Sequence, residues 1–419
     1  MIAINDFLLT FLIIFIFGSV ADIIIDIINA LHLKKNGTKV PPVFAGLVDE
    51  AKLKDISSYT ADNTGISVFK DIVSIIFFLV IILFGFLPWI NSHLSGLNFF
   101  AAGLIFFAVP GLITSLIDLP FDYYHVFVIE EKYGFNTGTF RIWISDLIKS
   151  AVISLILGGI LLSVILAIVE YGGSMWWLWA WIIFTGFQLL MTVLYPAVIA
   201  PLFNKFTPIE NKELEDAIRI LADREGIPVT GIFQMDAGKR SRHTNAYFSG
   251  LGKSKRIVLY DTLINSHDKD EILGVLAHEM GHMKMGHIRK QFILIGIISL
   301  LAFFIADRML RWELIYTSFG FTETPSYAGL FLMTVIWGPV GFLVTPIFMA
   351  ISRKYEREAD RFALKTMGSA VPLISALKKM AVENLSNLCP HPVYVRFNYS
   401  HPPITERIGY LEKMDSRIR

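Results

Sequence analysis

Seven runs of apolar residues, each about as long as a bilayer is thick, constrain this chain more than any motif in it. They cover residues 7–28, 72–90, 98–119, 151–169, 176–202, 291–306 and 328–351. About 20 apolar residues in helical form cross a hydrocarbon core of about 30 Å. Inside that core only helices and closed barrels can satisfy their own backbone. The composition agrees, with 54% of the 419 residues hydrophobic and 17% charged, where a soluble domain carries about 25% charged residues. The first run holds Asp22 and Asp26, yet it is too long and too poor in basic residues at its start for a cleaved signal peptide. It is read as a retained span.

Charge between the runs alternates. The first loop holds Lys34, Lys35, Lys39, Lys52, Lys54 and Lys70, and the third holds Lys132, Arg141 and Lys149. Stretches 91–97 and 171–175 have no lysine or arginine, and the sixth loop has only Arg308 and Arg311. The positive-inside rule then puts the odd loops and the C-terminus in the cytoplasm and the N-terminus outside. Two stretches, 203–290 and 352–419, are too polar and too long to be loops; both fall on the cytoplasmic side and are expected to combine. A formal net charge of +1 argues against a nucleic-acid partner. The single cysteine, Cys389, rules out an internal disulfide.

Within the first polar stretch, "HDKDEILGVLAHEMGHMKMGH" opens with Asp268 and Glu271 in a capping-box spacing. On the helix that follows, His278 and His282 are four apart and share a face, so their rings can converge on one ion. Glu279, one step round, can reach a water on that ion. This is the HExxH arrangement of zinc peptidases. If the helix continues, His287 points about 180° from His278, at 100° per residue, and is expected to be structural or interfacial and not a ligand.

A catalytic zinc takes three protein ligands and leaves one position open. The stretch "SRKYEREADRFALKTMG", just after the last apolar run, offers Glu356, Glu358 and Asp360. Glu358 shares a helical face with Lys354, Arg361 and Lys365, as a salt-bridging surface residue would. Glu356 lies opposite, among Ala359, Ala363 and Met367. A carboxylate on an apolar face needs a counter-charge, which makes Glu356 the expected third ligand. Asp360, one turn on, is placed to orient a ligand histidine through its second ring nitrogen.

With these residues assembled, the chain resembles the type I CAAX prenyl endopeptidases, which are integral-membrane zinc proteases. The resemblance rests on "EEKYGFNTGTF" at 130–140, "NKFTPIENKEL" at 204–214, "KRSRHTNAYFSGLGKSKRIVLYDTLI" at 239–264, "HEMGH", "EREAD" at 356–360 and "YSHPPITERI" at 399–408, in that order. It implies an all-α polytopic membrane protein with about seven transmembrane helices around a water-filled chamber. A small α+β zinc-peptidase domain would sit on the cytoplasmic side. It also implies prenylated protein substrates ending in Cys-aliphatic-aliphatic-X, cut to release the last three residues. The family's zinc glutamate falls on Glu356. Asn245 and Ala246 correspond to its substrate-aligning edge strand, and His401 to its histidine near the scissile bond. An edge strand can hold an extended peptide by backbone pairing, and a histidine can donate to a developing oxyanion. Arg407 is either a contact for the substrate carboxylate or, preferably, a structural partner of Glu356 or Asp360.

The expected organisation is therefore four segments. Residues 1–202 carry spans one to five, 203–290 the edge strand and HExxH helix, 291–351 spans six and seven, and 352–419 the third ligand. The expected function is a multi-pass membrane zinc endopeptidase, one zinc per chain, in a bacterial inner membrane or the endoplasmic reticulum membrane. Its partners would be the bilayer and a prenylated or membrane-tethered peptide. Glu279 is expected to be the general base. Alternatives are a quality-control protease for membrane proteins, a protease with HExxH inside a span, and a seven-span transporter or receptor. The intramembrane protease is disfavoured by Lys284, Arg289 and Lys290 beside the motif. A transporter would carry charge in mid-span, and only Asp22 and Asp26 approach that.

Overall fold

The computed structural model describes residues 2, 4–250 and 255–417. Residues 251–254, inside the 239–264 motif, lie outside the described part. Among the described residues seven helices are long and apolar enough to span a membrane. The first five are α1 (Asp6–Asn36), α2 (Glu50–Leu83), α3 (Phe99–Tyr124, carried on by a wider turn His125–Glu130), α4 (Phe140–Tyr171) and α5 (Trp176–Leu194, carried on to Phe203). Four of them begin at a side-chain cap. The Asn5, Asp49 and Asn98 carboxamide or carboxylate oxygens and the Thr139 hydroxyl each accept an amide three residues on, which satisfies one of the free N–H groups of the first turn.

Two stretches of chain then build the polar part. The first contains β1 (Phe206–Pro208), α6 (Lys212–Arg224), β2 (Val229–Met235), β3 (Ala246–Ser249), β4 (Lys255–Tyr260) and α7 (Lys269–Lys284). Spans α8 (His287–Leu310) and α9 (Ser326–Met367) follow, and α10 (Val371–Glu383) and α11 (Ile404–Asp415) complete the polar part. The sheet order is β1-β2-β4-β3, with β2 and β4 parallel and β3 antiparallel to β4. Strand β3 thus has one paired side and one free edge.

The apolar surface of the spans explains their solvent. Helix α4 buries only Leu166 among its 32 residues, leaving Leu155, Ile156 and Ile160 more than half exposed. A face this apolar is stable only against lipid. Tight packing is concentrated at one end of the bundle, where Leu8, Phe11, Phe106, Trp176, Tyr316, Phe319 and Leu332 form a single buried cluster. Nearer the polar part the spans leave space between them. One cavity of about 510 Å³ is polar, lined by Asp26, Tyr59, Asn63, Lys70 and His125. Towards the packed end, a second of about 770 Å³ is apolar, between α3, α4, α5, α8 and α9.

Three features differ from hydropathy alone. Helix α3 with its wider turn runs on to Glu130, and α4 starts at Phe140, because turns beyond the hydrocarbon stay helical without being apolar. Helix α9 continues past residue 351 to Met367, 42 residues in all, or about 63 Å at 1.5 Å per residue. That is about twice the hydrocarbon thickness, so its last turns carry Glu356 and Asp360 clear of the membrane. The third concerns His287. The HExxH helix does not continue through it: α7 ends at Lys284, Gly286 adopts φ 65°, and His287 opens α8. A left-handed turn is easy for glycine, and it swings His287 back towards the motif instead of away from it.

Candidate metal centre

Helix α7 is held on two sides. Ile272, Val275 and Leu276 pack with Ile257 and Leu259 of β4 in one core, and Ala277 and Met280 pack with Ala363 and Leu364 of α9 in another. The capping box is formed as the sequence spacing suggests: Asp268 accepts from the Glu271 amide, and Glu271 accepts from the Asp268 amide. Glu271 is buried and also binds Ser375 and Lys379 of α10. The glycine of HEMGH allows α7 and α9 to approach closely. A Cβ on Gly281 would lie 2.8 Å from the Cα of Ala359. At that contact α7 and α9 bring their polar side chains together.

His278, His282 and Glu356 form the one grouping of three ligand-type residues among the described residues. His278 Nε2 and His282 Nε2 are 3.2 Å apart, and Glu356 lies 3.2 Å from each through its two oxygens. Two donors at about 2.0–2.1 Å on a tetrahedral ion are about 3.3 Å apart, so the three separations fit one metal. The chemistry fits as well. Glu356 Oε2 is fully buried and accepts no well-formed hydrogen bond. Burial pulls the His278 imidazole down and Arg407 does so further, yet Asp360 and Glu356 outweigh both and lift it to about 9. The cradle therefore favours a cation among its carboxylates.

The surrounding residues are ordered by the same two helices. His278 Nδ1 is 2.8 Å from Asp360 Oδ1. Arg407 from α11 donates to both oxygens of Asp360, at 3.0 and 2.6 Å, and its Nη1 is 3.7 Å from Glu356. Arg407 and Asp360 are both buried, so Arg407 is a counter-charge inside the site, and it also forms part of the wall of the adjoining cleft. Glu279 lines a cleft of about 240 Å³ beside Asn245, Ala246, His278 and His401. Burial raises its carboxyl pKa against the opposing pull of His278 and His282. His401 stands exposed at the mouth, with Nε2 3.3 Å from Glu356 Oε1 and Nδ1 2.8 Å from the Ser400 hydroxyl. Asn245 receives the Tyr260 amide on its carbonyl and turns its side-chain oxygen onto the Ala246 amide at 2.8 Å, which fixes the start of β3.

Glu358 does not sit as a plain surface residue. It reaches Lys354 only at 4.0 Å, and its closer partner is His287 at 3.0 Å. Two residues absent from the sequence reading also line the site. Asn384 and Ser386 face both the 240 Å³ cleft and the polar cavity of 510 Å³, and Asn384 accepts from the Thr244 amide and meets His243. No periodicity or motif marks them, since they follow the end of α10 and reach the site only by tertiary folding.

A helical membrane body that carries an HExxH helix, a facing glutamate and a free strand edge defines a membrane-embedded metallopeptidase. Comparisons with known proteins agree over most of the chain. Residues 29–205 match the family model described as CAAX prenyl protease N-terminal, five membrane helices, and residues 208–415 match that of peptidase family M48. The chain is 35% identical to CAAX prenyl protease 1 homolog of Oryza sativa subsp. japonica, over 90% of this chain and 91% of the relative. It is 34% identical to CAAX prenyl protease 1 of Saccharomyces cerevisiae, over 92% and 91%. The crystal structure of S. mikatae Ste24p superposes with a TM-score of 0.89 at 34% identity, over 97% of this chain and 99% of that one. The chain belongs to peptidase family M48.

Proposed function

We propose that this protein is a zinc-dependent endopeptidase that removes the C-terminal tripeptide from prenylated proteins ending in Cys-aliphatic-aliphatic-X. The observation that carries the reading is the 3.2 Å convergence of His278, His282 and Glu356 where α8 and α9 leave the apolar bundle and meet the polar part, beside the free edge of β3. Such a site meets a substrate with one greasy end and one polar end. The relatives' name, CAAX prenyl protease 1, supports the same substrate class.

His278, His282 and Glu356 would hold the zinc. When bound, it polarises the scissile carbonyl and acidifies water. Glu279 takes the proton of the attacking water and returns it to the leaving amine. The raised affinity of its carboxyl for protons, caused by burial, suits both halves of that task. His401 donates to the oxygen that gains charge as the carbonyl is attacked. Asp360 holds the ring of His278, and Arg407 holds Asp360. The peptide adds to the edge at Asn245 and Ala246.

The catalytic side is cytoplasmic, in the endoplasmic reticulum or a bacterial inner membrane. Lysines cluster on the loops at the catalytic end, while at the packed end Arg308 and Arg311 are both drawn to Asp307, at 3.7 and 2.9 Å. The test compares matched peptides with and without a farnesyl group, cut by the wild type and by Glu279→Gln. The wild type is expected to cut the farnesylated peptide faster, and the variant to lose about 100-fold or more. Equal rates on the two peptides would remove the lipid preference, and a near-normal variant would remove Glu279 as base.

A further inference from the structure

A second histidine stands behind the ring of His282. His287 Nδ1 is 3.0 Å from His282 Nδ1, and His287 Nε2 is 3.0 Å from Glu358 Oε2. Its ring is 2% exposed and lies flat on Tyr355, 4.2 Å between centroids and 11° between planes. The protons in this chain can be placed in one consistent way. His282 turns Nε2 towards His278 and Glu356, so a neutral His282 that binds metal through Nε2 carries its hydrogen on Nδ1. That N–H donates to His287 Nδ1, which leaves the His287 hydrogen on Nε2, donating to Glu358. Each donor meets one acceptor, and both imidazoles stay neutral.

We infer that His287 and Glu358 are positioning residues for the metal, a two-member relay that fixes the ring of His282 and raises its basicity. The inference rests on the zinc reading above. The relay does for His282 what Asp360 does directly for His278 at 2.8 Å. A hydrogen-bonded outer partner sets the tautomer and rotation of a ligand imidazole and strengthens it as a donor. His282 needs the support more, since its side chain is 22% exposed against 7% for His278. The relay also joins the two ligand-bearing elements. Tyr355 and Glu358 flank Glu356 on α9, so the contacts that orient the second ligand also hold the helix that supplies the third.

The test measures zinc affinity of the full-length protein in detergent by competition with a chelator. His287→Phe keeps an aromatic ring on Tyr355 and deletes both nitrogens; Glu358→Gln keeps an acceptor oxygen and deletes the charge. The expected loss in zinc affinity is about 10–100-fold for His287→Phe, with a smaller loss in the same direction for Glu358→Gln. Unchanged affinity in either variant overturns the relay. If the phenylalanine variant does not elute as folded protein, Glu358→Gln decides alone. A wild type that holds no zinc would overturn the metal reading itself, a result distinct from tight binding in all three proteins, which overturns only the relay.

Discussion

Replacing Gly281 by alanine tests whether the contact of α7 with α9 sets the ligand geometry. A Cβ at this position would meet the Ala359 Cα at 2.8 Å, the Ala359 carbonyl oxygen at 3.1 Å and the Phe362 Cβ at 3.1 Å. Ordinary contact begins near 3.4 Å, so the helices must part by about 0.6 Å. Two of the three obstructing atoms are backbone, and no flexible side-chain tip can yield in their place. In a free helix the same substitution stabilises by about 1 kcal/mol. Overpacking a buried contact costs about 1–3 kcal/mol, so the net effect is expected to be a loss of up to about 2 kcal/mol. Catalysis should suffer more than stability. His282 adjoins Gly281, Glu356 lies one turn from Ala359, and their ligand atoms are 3.2 Å apart. Misplacing reacting groups by about 1 Å can cost about 100-fold, so a loss of about 10-fold or more is expected. The assay pairs thermal unfolding in detergent with peptide cleavage. A variant with a higher melting temperature and full activity would refute the argument that this helix contact builds the site.

Two further outcomes follow from charges in the polar part. Arg407→Ala leaves Asp360, which is 0% exposed, with His278 as its remaining close partner, and breaking a buried pair costs about 3–5 kcal/mol. Thermal unfolding should register that loss, and Arg407→Lys should not restore it, because an ammonium cannot make the two-pronged contact with Asp360. His243 supplies a pH dependence. Burial pulls its imidazole pKa down, but hydrogen bonds to Glu130 and Asn384 outweigh burial and raise it. A raised folded-state value means the stabilisation is complete below the unfolded value of about 6.5 and fades as pH rises through the folded value. Melting temperatures across pH 6 to 9 should fall for the wild type more than for His243→Gln; parallel curves would show that His243 is not the group responsible.

The sequence by itself determined the solvent and which polar side chains can share a helical face. Seven apolar runs demand lipid because an apolar helix face has no other stable partner, and the i, i+4 spacing of His278 and His282 puts two imidazoles on one face in any helix. The apolar setting of Glu356 among Ala359 and Ala363 was also legible, since helical periodicity alone separates it from Glu358. What the sequence could not determine is where helices end once they leave the hydrocarbon, because hydropathy carries no signal there. Helix α9 runs on for about four turns beyond residue 351. The sense of the turn at Gly286 was equally hidden. Glycine permits either hand, and only the packing of α7 and α8 against α9 selects φ 65°, which turns His287 from a residue facing away into one that touches His282. Asn384 and Ser386 lie more than 100 residues from the HEMGH motif and reach the cleft because α10 packs across α7. Local spacing follows from the geometry of one helix, whereas the contacts that orient and surround the site exist only after several helices have closed on one another.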